Sequence, residues 1–289
     1  GMFVADGEAL PRLEAALAAA PALRRIGPEE ALEHVPILRL ERVAAAALDE
    51  SGADLDVAAI HQGYLRALRR AGGQIVTGAR ETAVVREAGG WTVRSRCGDF
   101  QAPVLVNAAG AWADEVARAA KAAPVGLQPL RRTAMMLQVP DGLDMRRWPM
   151  TIDIDETLYF KPDAGQLLLS PANEDPMPPC DVAPEELDIA LAVDRFERLT
   201  SLPVQRIGRR WAGLRSFVAD RSPVAGFDAR AEGFFWLAGQ GGYGIQMAPA
   251  LARAAAALLL GQPLPEDIAA QGVRAADLSP ARPALTQRG

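Results

Sequence analysis

The chain has 289 residues, 49% of them apolar and 23% charged, which is enough to bury a large core in one large or two modest domains. Its formal charge of −5 excludes nucleic acid as the main partner, because a phosphate footprint needs a basic face. Cys97 and Cys180 form no C-x-x-C pair and His34 and His61 are the only histidines, so no metal site is expected and a reducing, cytoplasmic setting is.

Along the chain, residues 5–50 read as short helices, PRLEAALAAAP and PEEALEHVP, punctuated by prolines. Asp56 is placed to cap a helix through VAAIHQGYLRALRRAGG, whose Ile60, Tyr64, Leu65 and Leu68 share one face and which Gly72 and Gly73 end. QIVTGA then reads as a strand and ETAVVREAGGWTVRSRC as a hairpin turned at Gly89–Gly90. PVLVNAAG reads as a strand buried on both faces, with the helix AWADEVARAAK leaving it. From Leu127 to Pro203 the texture changes to alternating strands (TAMMLQVP, ETLYFKP, GQLLLSPA), a proline-rich excursion and the helix PEELDIALAVDRFERL. The last third returns to WAGLRSF, SPVAGF and the strand-loop-helix of FFWLAGQGGYG. The longest apolar tract, around Ala250 to Leu260, is interrupted by Arg253 and is too short to span a bilayer.

Two textures therefore interleave. The expected fold is α/β with α+β, an incomplete Rossmann-like domain woven with an antiparallel-sheet domain. Residues 1–50 and 123–211 are assigned to the antiparallel domain, 51–122 and 212–275 to the other, and 276–289 to a tail.

There is no G-x-S-x-G, P-loop or H-E-x-x-H, so hydrolase and phosphoryl-transfer chemistry start poorly. Gly239, Gly241 and Gly244 do spell G-x-G-x-x-G after a buried strand. The helix is expected only from Ala248, with Pro249 in its first turn, and Pro263 and Pro265 rule out the second parallel strand that a dinucleotide fingerprint requires. The loop is thus expected to lie against something flat or anionic without opening a Rossmann unit. Ala108, Ala109 and Gly110 end a strand in small residues, which admits a ligand or, more plainly, a tightly packed helix. Arg215, between Leu214 and Phe217, suits a bidentate grip on a carboxylate, and a structural ion pair fits it equally well.

Taken together, PVLVNAAGAWAD, WAGLRSF and FFWLAGQGGYGIQMAP, in this order and spacing, resemble the FAD-dependent amino acid oxidases and dehydrogenases, the family that includes glycine and sarcosine oxidases. GADLDVAAIHQGYLR, LYFKPDAG and SPANEDP extend the likeness, from about Ala31 to about Ser279, toward the D-arginine dehydrogenase branch. That family opens with a strand, glycine fingerprint and helix for the FAD pyrophosphate. No such unit is present here, so a fragment of a longer protein is expected. The resemblance implies that FAD lies against Ala108, Gly110, Trp112, Gly239, Gly241, Gly242, Tyr243, Gly244, Ile245 and Gln246. It implies that Gly242 lies close to the substrate amine, that Arg132, Tyr159 and Arg215 hold the substrate carboxylate, and that Tyr159 and Arg215 are the catalytic pair. Strand alternation puts only one of Arg131 and Arg132 on the cavity side. The implied reaction converts a D-amino acid to an imino acid, then to a 2-oxo acid and ammonia, with oxygen or a quinone as electron acceptor. A glycine- or sarcosine-type amine oxidase and a non-catalytic chain without FAD are the alternatives.

Overall fold

The computed structural model describes residues 1–286 other than Ala88. The chain opens with β1 (Met2–Ala5), α1 (Leu10–Ala19), β2 (Arg24–Ile26), α2 (Pro28–His34), β3 (Ala45–Leu48) and α3 (Val57–Arg70). Then come β4 (Glu81–Glu87), β5 (Gly90–Ser95), β6 (Gly98–Ala102), β7 (Leu105–Asn107) and α4 (Ala113–Ala119). The middle holds β8 (Gln128–Leu137), β9 (Thr151–Asp153), β10 (Tyr159–Asp163), β11 (Gln166–Ser170), β12 (Asp175–Pro176) and α5 (Glu186–Leu199). The chain ends with β13 (Ile207–Phe217), β14 (Val224–Phe227), β15 (Phe234–Ala238), α6 (Gly244–Leu259) and three short helices, α7 (Glu266–Ala269), α8 (Ala275–Leu278) and α9 (Pro283–Thr286).

These elements form two compact units built from alternate stretches. One comprises 1–54, 131–175 and 181–214; the other comprises 55–130, 176–180 and 215–289. The architecture is mixed α/β, one large sheet with smaller three-stranded sheets.

The large sheet runs β12-β8-β11-β10-β9-β1-β3-β2, with β13 also on β8. Within it β1 and β9 pair in parallel, Met2 opposite Thr151. Phe160 and Phe196 meet edge to face at 5.2 Å in the core of the first unit, where α5 buries Ile189, Ala192 and Phe196. The alanine run in β3 was expected to belong to a helical stretch and is a strand. Its neighbours explain this: Ala46 joins the core with Met2 and Phe160, while Ala45 and Ala47 face Leu13 of α1. Both faces are covered, and small side chains let α1 approach closely. Residues 5–50 therefore mix helices with sheet strands.

In the second unit, β15 pairs in parallel with β7, Phe235 opposite Val106, and antiparallel with β14. The period of two in β15 sends Phe234, Trp236 and Ala238 into one cluster and Phe235 against Ala254, Ala255 and Leu278 in another. Four readings need correction here. QIVTGA finds no partner strand among the described residues, and Val76 is 44% exposed. The hairpin acquires a third strand, β6, on β5. β7 is short and not buried on both faces, because among the described residues it has a single neighbour, and Val106 is left exposed. And α6 starts at Gly244, the last fingerprint glycine, with Pro249 inside it; the helix opens four residues earlier than Pro249 suggested. Asp56 caps α3 as expected, accepting the Ala59 N–H at 2.8 Å, yet α3 buries none of its residues and exposes Tyr64 and Leu68.

Candidate functional site

In a parallel pair the C-terminal ends of both strands lie at one end, where ligands bind in open α/β sheets. β7 and β15 are such a pair, and the two loops singled out in the sequence leave them there. After β7, buried Asn107 shapes the first loop: its Nδ2 donates to Ala113 O at 2.8 Å and its Oδ1 accepts from Ala109 N at 3.3 Å. Gly110 follows in the left-handed region, φ +57°, with nothing within 4 Å of where a Cβ would stand. Trp112 is 43% exposed. Asp114, at the start of α4, is 7% exposed, and its carboxylate accepts three backbone N–H groups, from Val125, Gly126 and Leu127. The sequence reading missed Asn107 and Asp114, although both lie inside the VLVNAAGAWAD motif.

The second loop follows β15. Gly241 N donates to Ser216 O at 3.0 Å, which ties the loop to β13. Gly241 lies at φ +56°, and a Cβ there would overlap the Phe217 ring, whose face is covered by Arg221 at 3.8 Å. Gly242 is ordinary in φ, but a Cβ would come within 2.8 Å of Arg215 Nη1. The loop thus touches Arg215 directly. The glycine at 241 is required by the protein's own Phe217, whereas a side chain at 242 would push the flexible Arg215 head aside. Tyr243 and Ile245 are exposed, and the N-terminus of α6 has no side-chain cap and no acidic residue in its first turn. Its first N–H groups and positive dipole end suit an anion or a carbonyl-rich ring edge.

In the first unit, Tyr159 opens β10 opposite Ser170, half-buried, beside fully buried Phe160. Arg131 and Arg132 diverge as strand alternation requires. Arg131 is 5% exposed and bonds Asp188 at 3.0 Å, Asp175 at 3.2 Å and Glu185. Burial opposes its charge, but the bonds to Glu185 and Asp188 and the charge of Asp188 outweigh it, and the guanidinium pKa lies above the usual arginine value. Arg132 donates from Nε to Asn173 O at 2.8 Å and from Nη2 to Glu174 at 3.2 Å. Arg132 is thus already paired with a carboxylate of the protein itself, that of Glu174. The first unit also has an open cleft of about 540 Å³ lined by Asp54, Asp144, Arg146 and Asp163; the end of the LYFKPDAG motif reaches it, but none of the residues expected to hold substrate or FAD lines it. No cluster of metal-ligating side chains occurs among the described residues.

Comparison with known proteins decides the class. A profile of the FAD dependent oxidoreductase (DAO) family matches residues 1–258. The chain belongs to that family. Its members use FAD, and the donor set fits such a group: an uncapped helix N-terminus, glycines at a strand's C-terminal end, and exposed Trp112, Tyr243 and Ile245 beside them in sequence. The hydrogen cyanide synthase subunit HcnC of Pseudomonas aeruginosa is 28% identical over 178 residues, which is 59% of this chain and 40% of that protein. The matched stretch thus spans about two fifths of the curated relative's length. Among solved structures, L-proline dehydrogenase from P. horikoshii has a TM-score of 0.76 at 22% identity, covering 94% of this chain and 77% of its own. Glycine oxidase from Geobacillus kaustophilus has a TM-score of 0.76 at 18% identity, covering 93% and 72%. At these identities the likeness is one of fold. Among the described residues no helix is long and apolar enough to cross a membrane.

Proposed function

We propose that the protein oxidises free amino acids, with D-amino acids and D-arginine first among them, to imino acids that water converts to 2-oxo acids and ammonia. When bound, FAD supplies the hydride acceptor. The chain's own residues position the substrate, which is where a flavoprotein's side chains contribute most to rate. Arg215 grips the carboxylate through two guanidinium donors, and Arg132 carries the same role on β8. Tyr159 donates its hydroxyl to that carboxylate. Gly242 leaves its backbone bare next to Arg215, so that the substrate amine can approach without meeting a side chain. The N–H groups at the start of α6, from Gly244 to Gln246, would hold the polar edge of the cofactor's ring.

The observation that carries this reading is the contact between the fingerprint loop and Arg215. A glycine loop and an arginine from separate motifs meet where a Cβ at Gly242 would stand 2.8 Å from Nη1. The FAD-loaded protein, mixed anaerobically with D-arginine, D-alanine, glycine or L-proline, should lose its flavin absorbance fastest with D-arginine. Faster bleaching by glycine or L-proline would move the substrate class, and no bleaching by any amino acid would sink the reading.

A further inference from the structure

β10 begins with Tyr159, and its alternation sends fully buried Phe160 into the core of the first unit while Tyr159 and Lys161 share the opposite face. On that face the register puts Leu168 of β11 opposite Lys161 and Met136 of β8 opposite Leu168. An apolar row therefore crosses the sheet one step along from Tyr159. The Lys161 ammonium pairs with Asp54 at Oδ1, and the Asp54 side chain stays 79% exposed. A carboxylate has two oxygens and room for about four hydrogen bonds, so a single lysine does not saturate it.

Asp54 also lines the open cleft of about 540 Å³, and β10 runs into that cleft at its far end, where Asp163 stands. Leu143 and Met145, both packed on the core of the first unit, supply apolar lining. Arg146 lines the cleft too, but Asp144 takes both of its prongs, Nε at 2.9 Å from Oδ1 and Nη2 at 2.7 Å from Oδ2. That pair cancels. The Asp163 carboxylate makes no hydrogen bond or ion pair with another described residue. Asp54 and Asp163 thus stand against the one charge of Lys161, and the cleft keeps an excess of negative charge beside apolar lining. Such a lining suits a methylene stem that carries a cationic head.

The distances match a long side chain. Two residues of strand, from Tyr159 to Lys161, span about 6.5–7 Å, comparable to an extended arginine stem between its α-carbon and its guanidinium. We propose that Asp54, with Asp163 beyond it, is the specificity-determining carboxylate that receives the cationic head of the substrate's side chain, the cleft being the side-chain pocket. This rests on the reading of the protein as an amino acid oxidase with Tyr159 at the substrate carboxylate.

The test follows anaerobic flavin reduction of the FAD-loaded protein by D-arginine and by D-methionine, which is unbranched and uncharged. In Asp54→Asn the half-saturating concentration of D-arginine, divided by that of D-methionine, should rise roughly tenfold, the low end for a charge-assisted bond because water reaches this carboxylate. Asp163→Asn removes a carboxylate that holds nothing in the protein, and it should raise the same ratio by roughly two- to fivefold through the charge alone. Added salt should raise the ratio in the parent and do so less in Asp54→Asn. Equal rises for both substrates in Asp54→Asn would make the residue structural and overturn the proposal. If that variant does not fold, a ratio that stays put in Asp163→Asn and in added salt overturns it. Reduction of the parent flavin by D-methionine but not by D-arginine rejects the cationic side chain while amino acid oxidation stands. No reduction by either means that the proposed function has failed, and the side-chain pocket with it.

Discussion

Adjacent residues do opposite work in each of the two units. Gly241 and Gly242 are neighbours, yet the first packs on the Phe217 ring at a positive φ and the second on the end of a flexible arginine. Gly241→Ala should therefore cost stability, about 1–3 kcal/mol from overpacking and strain, read as a lower Tm. Gly242→Ala should leave the Tm nearly in place and raise KM, because the Arg215 head can move aside at the expense of its aim. Arg215→Lys should raise KM by one to two orders of magnitude, the equivalent of about 1.5–3 kcal/mol for a lost charge-assisted bond. A lysine variant with unchanged KM would make Arg215 structural. The different environments of Arg131 and Arg132 were legible, since a strand's period of two separates neighbours. Their partners were not: Asn173 and Asp188 lie 41 and 57 residues downstream, and no local pattern links such positions.

Helix and strand types were mostly legible where the periodicity was long, as in α3, α5 and β8. Short elements were not, because β1, β2 and β3 are strands by virtue of their neighbours and QIVTGA is not one for want of a neighbour. The start of α6 was misplaced because Pro249 looks like a first-turn proline, whereas the helix accommodates it six residues in. At the other end of the second unit, Arg282, buried at 7%, binds Asp220 through two bonds of 2.7 and 2.8 Å and so ties the segment before α9 to the turn after β13. Hydrogen bonding to Arg282 holds the Asp220 carboxyl below its ordinary pKa, partly offset by burial. A depressed carboxylate stabilises the fold above its unfolded pKa of about 3.9 and loses that contribution as pH falls through the folded value. Below about pH 4 the tie should weaken, and Asp220→Asn should make the stability profile flatter in that acidic range while matching the parent less well at neutral pH. Parallel thermal melts from pH 3 to 7 check this.

Across the whole molecule the chain alternates between two units, so the first unit draws on residues as distant as Met2 and Leu214. Removing residues 1–54 deletes β1, β2 and β3 from the large sheet together with Met2, Val4, Ile26, Ala46 and Leu48 from its core. That truncation should abolish folding of the unit instead of trimming it, visible as loss of a cooperative melt and of soluble yield; a truncated protein that still melts cooperatively would contradict the core assignment. The parallel pair β1–β9 also sets a schedule for synthesis. Met2 must wait for Thr151 to leave the ribosome, roughly 7–30 s at the usual elongation rate of about 5–20 residues per second. During that interval β1 can pair with β3 alone, and its other edge, an apolar MFVA, stays unpaired in the crowded space around the ribosome. The yield of folded protein should therefore depend on how fast the middle of the message is read, and on whether a chaperone shields that strand while it waits.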